Sequence, residues 1–200
     1  MAINESLQYV DPEVTKLKFE KELQEFRALE NEYRKKGVIC FHVTSLSVSL
    51  IFAVPHLKPQ PIAFAVNIDY TNWDVEPPSI KFIDPFTNKL LPREEIRIKF
   101  FQVRNKNNIR VVNGRIHEQD LLQPGNPPFF CIPGVKEYHV HAAHSGDSWM
   151  LHRTKGEGKL CVLIDQLYNH SIAQSSNYVM SINIGFNEAV IGADINKLKL

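Results

Sequence analysis

The apolar residues of this chain change their period near residue 37, and that change constrains the fold more than any other feature. Before it, Leu17, Phe19, Leu23, Phe26, Leu29 and Tyr33 recur at helical spacing, which predicts one amphipathic helix over residues 11–37. Asp11 is placed to cap this helix, and Pro12 suits a first turn whose N–H groups have no helical acceptor. Lys35, Lys36 and Gly37 suit its end. After it the period is two. Leu46, Val48, Leu50, Phe52 and Val54 alternate with Ser45, Ser47, Ser49, Ile51 and Ala53, as in a half-buried strand.

A Pro-rich connection at 55–61 leads to Ile62, Phe64, Val66, Ile68 and Tyr70, which alternate again and predict an antiparallel neighbour. Glu76-Pro77-Pro78 ends a turn, and a third strand begins over 79–83. Residues 95–103 and 109–112 read as a hairpin turning at 105–108, so that strands fill 38–112. Arg93, Arg97, Lys99, Arg104, Lys106 and Arg110 along it read as the charged outer face of a sheet, with a docking face as the alternative. Prolines 124, 127, 128 and 133 keep the approach to Cys131 in loop form, within a Cys/His-rich segment spanning 121–155. Leu160, Leu163, Ile164, Leu167 and Tyr168 form an i, i+3, i+4, i+7, i+8 face, hence a second helix over 158–171. Residues 178–186 read as a last short strand or an extended tail. The expectation is one α+β domain over 1–200, with the N-terminal helix packed on an antiparallel sheet.

Composition excludes several classes. With 44% hydrophobic and 22% charged residues the chain is not disordered, and a net charge of +1 argues against a general nucleic-acid binder. No apolar run reaches the ~20 residues of a membrane span. Asn4, Glu5 and Gln8 stand where a secretion signal would be apolar. Three widely spaced cysteines argue against a disulfide framework and for a reducing cytoplasm; Cys40 and Cys161 read as buried structural thiols.

The chemistry concentrates in residues 131–153, C-I-P-G-V-K-E-Y-H-V-H-A-A-H-S-G-D-S-W-M-L-H-R. His139, His141, His144 and His152 are half of the chain's eight histidines, and Cys131, Glu137 and Asp147 accompany them. Thiolate, imidazole and carboxylate are the ligands of zinc and related metals. The same groups build nucleophilic sites, where imidazole activates a thiol. An extended 137–141 would align Glu137, His139 and His141; a helical one would align Glu137, His141 and His144. Ser145-Gly146-Asp147 predicts a turn that folds His144 and Asp147 back toward Cys131. Glu137 is also placed to pair with Lys136 or Arg153, Trp149 and Met150 read as packing, and His152-Arg153 is the weakest part of the cluster.

Two resemblances follow from these residues. The helix, the strands, F-A-V-N-I-D-Y (64–70) and P-P-S-I-K-F (77–82), then Cys131, Trp149 and a helix, resemble a ubiquitin-conjugating enzyme. The chain has I-D-P-F-T-N after Phe82 where that family has His-Pro-Asn. More locally, residues 130–149 resemble a bacterial predicted metal-binding family named for its Cys, Glu, His and His. That family is associated with ubiquitin-like conjugation gene neighbourhoods. The resemblance implies Cys131, Glu137, His139 and His144 as ligands, with His141 as the substitute, and zinc or another transition metal as cofactor. It implies a ubiquitin-like protein and its activating enzyme as partners. The leading expectation is a metal site in a conjugating-enzyme-like domain. The alternatives are a carrier, in which Cys131 takes a ubiquitin-like C-terminus as a thioester and Asp147 or Glu137 helps the acceptor amine, and a non-catalytic adaptor.

Overall fold

The computed structural model describes residues 7–96, 102–103, 110–112, 115–117, 119–123, 125 and 127–174, the backbone alone between 102 and 120. Helix α1 spans Pro12–Lys35. Asp11 caps it as the sequence implies, its Oδ1 accepting from the Glu13 N–H at 2.9 Å. The buried stripe is narrower than the apolar pattern: Phe19, Leu23, Phe26 and Tyr33 are inside, whereas Leu17 and Leu29 are 65% and 46% exposed. At 3.6 residues per turn, position 17 falls opposite 19 and position 29 lies at the margin. Thr15 and Glu22 take the buried places instead. Gly37, at φ 88°, ends the helix in a left-handed turn, where an added Cβ would lie 2.1 Å from the Ala53 carbonyl oxygen.

Strands β1 (Val38–Val43), β2 (Ser47–Ala53), β3 (Ile62–Asp69) and β4 (Ser79–Ile83) form one antiparallel sheet in that order. Its register aligns Val48 with Ile68 and Ile80, Leu50 with Val66 and Phe82, and Phe52 with Phe64. All eight are buried and belong to one core with the α1 stripe. The Phe52 and Phe64 rings stack at 4.6 Å, and Phe19 of α1 meets Tyr70 at 5.0 Å. On the other face Ser49 and Asn67 are also buried, because Asn67 Nδ2 donates to Ser49 Oγ at 3.0 Å.

Beyond the sheet the sequence expectation needs correction. Among the described residues, the runs at 95–103 and 109–112 do not pair with each other. Strand β5 (Gln102–Val103) pairs with β8 (Gln119–Asp120), and β6 (Arg110–Val112) pairs with β7 (Arg115–His117). The dipeptide between β6 and β7 is Asn113-Gly114, the preferred pair for a two-residue hairpin connection. The expected turn at 105–108, the basic positions Arg97, Lys99, Arg104 and Lys106, and the strand at 178–186 lie outside the described residues. The proline-rich approach carries a small antiparallel pair, β9 (Leu122–Gln123) with β10 (Phe129–Phe130). One turn of helix, α2 (Lys136–Val140), follows.

The second helix, α3 (Leu160–Asn169), buries Leu160, Leu163, Ile164 and Leu167 completely; Tyr168 is only partly covered. Three hydrogen bonds fix its start. Glu22 Oε2 accepts from the Leu160 N–H at 3.1 Å, Tyr70 OH donates to the Gly158 carbonyl at 3.0 Å, and Tyr33 OH donates to the Cys161 carbonyl at 3.3 Å. Burial raises the Glu22 carboxyl above its ordinary range. Cys40 and Cys161 are free and half-buried, less enclosed than the sequence suggests. Among the described residues no helix is long and apolar enough to cross a membrane.

Glu22→Ala leaves the buried Leu160 N–H without an acceptor, so chemical denaturation is expected to show a loss of about 1–3 kcal/mol. Glu22→Gln, which keeps an acceptor oxygen, recovers most of it. A loss no larger than that of the exposed Glu20→Ala would show that this contact contributes nothing.

Candidate functional site around Cys131 and His144

Cys131 is set by the backbone at the end of β10, where its N–H donates to the Leu121 carbonyl at 2.8 Å. The thiol is half-buried, and that burial pushes it above the ordinary cysteine range. Helix α2 is anchored to the sheet: the Lys136 N–H donates to the Pro78 carbonyl at 2.9 Å, just before β4. The helical reading of 137–141 therefore holds for one turn and then stops. His141 is extended, at φ −76° and ψ 131°, and a 3₁₀ turn, Ala142–His144, follows. This break dissolves the shared face of Glu137, His141 and His144.

The side chains separate accordingly. Glu137 Oε1 accepts from Ser79 Oγ and Lys81 Nζ on β4. Its other oxygen is buried with no hydrogen-bond partner among the described residues. It pairs with neither Lys136 nor Arg153, which bind Glu76 at 2.7 Å and Asp74 at 2.9 Å. His139 Nδ1 lies 2.8 Å from the Asp147 carbonyl oxygen, and its Nε2 faces the Pro133 carbonyl. Carbonyl oxygens only accept, so neither nitrogen of His139 turns a lone pair toward Cys131. The His141 ring sits 5.4 Å from Phe129 and 5.6 Å from the His144 ring.

Among the described histidines His144 alone reaches the thiol, with Nε2 3.2 Å from Cys131 Sγ. Its ring stacks on Tyr138 at 3.8 Å between centroids. Tyr138 OH donates to Asp147 Oδ2 at 2.7 Å, and Asp147 Oδ1 lies 2.6 Å from His152 Nε2. His152 Nδ1 then meets Glu157. The expected turn does bring His144 to Cys131. Asp147 goes elsewhere, to Tyr138 and His152. Backbone packing braces the assembly, since a Cβ on Gly134 would lie 2.1 Å from the Glu157 carbonyl oxygen.

The charges of this chain reinforce one another. The His152 bond first, then Tyr138, holds Asp147 below the usual carboxylate range. Asp147 in turn raises His152, helped by Glu157 and opposed by burial. The bond to Asp147, then burial, pushes the Tyr138 phenol up to about 12. Sequence reasoning ranked His152 last and passed over Tyr138 and Glu157. Yet His152 is only 8% exposed and is held on both nitrogens. Trp149 is packing, 6% exposed, with its indole N–H on the Asp74 carbonyl at 2.9 Å. Met150 is not: the turn Trp149–Leu151 directs it outward, 60% exposed.

Of the five metal-ligand candidates the structure brings together Cys131 and His144. Among the described residues no three His, Cys, Asp or Glu side chains gather closely enough to hold a metal ion. In this arrangement Glu137, already bound to an ammonium group, and His139, facing two carbonyls, do not fit as ligands. A thiol beside an imidazole nitrogen can instead pass its proton to that nitrogen and act as a nucleophile.

A model of the Y4jH family matches residues 10–174, from the start of α1 through α3. The uncharacterized protein y4jH of Sinorhizobium fredii (strain NBRC 101917 / NGR234) is 32% identical over 195 residues, covering 92% of this chain and 95% of that one. The chain belongs to the Y4jH-like family.

The Asp147–His152 pair gives a pH signature. The folded-state value of His152 is raised above its ordinary 6.5, so its contribution is complete below that pH and is lost as pH rises through the folded value. Asp147 is lowered from 3.8, so its contribution is complete above that pH and is lost as pH falls through the folded value. Melting temperature is expected to fall on the alkaline side in the wild type, and His152→Gln to remove that slope. Superimposable pH profiles for the two proteins would contradict the pairing.

Proposed function

We propose that this Y4jH-like protein is a thiol-based carrier, in which Cys131 takes the C-terminal acyl group of a ubiquitin-like protein in a bacterial modification system. The observation that carries the reading is the 3.2 Å approach of His144 Nε2 to Cys131 Sγ. His144 takes the thiol proton as Cys131 attacks the thioester carbon presented by an activating enzyme. The activating enzyme's thiolate leaves as the new thioester forms on Cys131. An acceptor amine later attacks that carbon, and the Cys131 thiolate is expelled. Asp147 acts through Tyr138 as a positioning residue, because both of its oxygens are occupied. The pathway rests on the resemblance to conjugating enzymes. Helix α1, a four-strand antiparallel meander, a cysteine, Trp149 and a second helix, in that order, support it.

A second reading, a zinc site, is favoured by the position of His141, whose ring lies 5.6 Å from that of His144. Cys131 and His144 would then supply two donors, His141 would have to turn in to add a third, and zinc would supply either a structural clamp or a Lewis acid.

Incubation with the activating enzyme, ATP and the ubiquitin-like protein, followed by gels with and without thiol, separates the readings. A carrier yields a reducible adduct that Cys131→Ala abolishes and Cys131→Ser converts to a thiol-resistant ester, with stability nearly unchanged. For a zinc site, Cys131→Ser lowers metal content and melting temperature together, because bound metal stabilises only the folded state. Absence of any adduct from metal-free wild type, with an active activating enzyme, contradicts the carrier. No adduct and no bound metal would leave the adaptor.

A further inference from the structure

A cavity of about 200 Å³ opens between α1, the loop after β3 and the start of α3. Its lining includes none of Cys131, Tyr138, His144 or Asp147. Lys18 and Lys21 enter it from α1, Arg153 from the turn Arg153–Lys155, and Lys159 from the residue before α3. These four cations face two carboxylates, Glu22 and Asp74, and both carboxylates are engaged. Asp74 Oδ1 takes Lys18 at 2.6 Å and Arg153 at 2.9 Å, and these bonds hold its carboxyl below the usual range. Glu22 accepts from the Leu160 N–H at 3.1 Å. Lys21 forms no ion pair among the described residues, and the carboxylate facing Lys159, Glu25, stands 3.9 Å away.

The cavity therefore holds more positive charge than its own acids balance. Trp73, 6% exposed, forms an apolar wall that keeps water from one side. Such a wall strengthens the field from the surrounding cations. The helix start beside the cavity adds positive potential of its own, although its first N–H is already used.

We propose that this cavity binds a phosphoryl group carried on a small molecule. An anion answers the surplus charge, which Lys21 carries and to which Lys159, loosely paired with Glu25 at 3.9 Å, adds in part. The planar guanidinium of Arg153 and the flexible ammonium groups of Lys21 and Lys159 offer the donors that phosphate oxygens need. The cavity is several times the ~30 Å³ share of one water, so it accepts the phosphoryl group with part of its carrier. The site is independent of the reading of Cys131, because no residue of the thiol site lines it.

Inorganic phosphate and pyrophosphate are the probes, titrated by calorimetry and thermal shift at constant ionic strength, with sodium chloride as the matched control. Pyrophosphate is expected to bind saturably and raise the melting temperature of the wild type. The double variant Lys21→Gln/Lys159→Gln should bind at least ~10-fold more weakly, since it loses two charge-assisted contacts. Lys89→Gln, on an exposed turn, should not change the affinity. Lys21 is exposed and Lys159 nearly half exposed, so the variant's own melting temperature reports whether it folds. If the double variant does not fold, Lys21→Gln alone is read the same way. The proposal is overturned by stabilisation that sodium chloride reproduces, by unchanged affinity in the folded variant, or by saturable binding of an aspartate-rich peptide without binding of pyrophosphate.

Discussion

The site depends on the carboxylate of Asp147, which holds Tyr138 with one oxygen and His152 with the other. Each bond has an ionised partner or an ionised acceptor, the class of hydrogen bond that contributes most. Gly146 makes the reach feasible: at φ 98° it turns the chain back on itself, and nothing within 4 Å of its missing Cβ competes for the space. With Tyr138 fixed, its ring becomes a platform for His144, and His144 then has one direction in which its Nε2 points. That direction is Cys131. Without the carboxylate, a five-residue helix and a single 3₁₀ turn have little of their own to define a geometry.

The scaffold supplies the other half of the constraint. Strand β4 is the edge on which the site segment rests, through the Pro78 carbonyl and through Ser79 and Lys81, which bind Glu137. The far side of the segment is tied through Glu157 and Gly158 to Trp73, Tyr70 and α3. A buried carboxylate on α1, Glu22, closes the circuit by capping α3. The thiol pair thus sits between two elements that are themselves locked to one core. A rigid frame around a short loop is the arrangement in which a reactive pair keeps its distance.

Much of this was legible in the residues. The period change at 37 located α1, β2, β3 and the neighbouring pairing, and the Leu160–Leu167 spacing located α3, because both patterns report burial directly. Within the Cys/His-rich segment the expected turn brings His144 to Cys131. Three things were hidden. Leu17 looked apolar enough for the core, but angular position decided against it. The β5–β8 and β6–β7 pairings were obscured by reading a longer turn, although Asn113-Gly114 stood in the sequence as the better signal. The separation of Glu137 and His139 from the thiol follows from long-range partners, Lys81 on β4 and the Pro133 and Asp147 carbonyls, which no local spacing reveals.

The central claim is that Cys131 and His144 act as a coupled pair, and the reactivity of the thiol tests it directly. Cys40 and Cys161 are also free, so iodoacetamide alkylation of Cys131 should be followed by peptide mass spectrometry from pH 5 to pH 10, in wild type and His144→Gln. A coupled pair predicts a rate at neutral pH at least ~10-fold higher in the wild type, with the two curves converging at alkaline pH where any thiol ionises unaided. Identical curves across the whole range would show that His144 does not act on the thiol and would contradict the account.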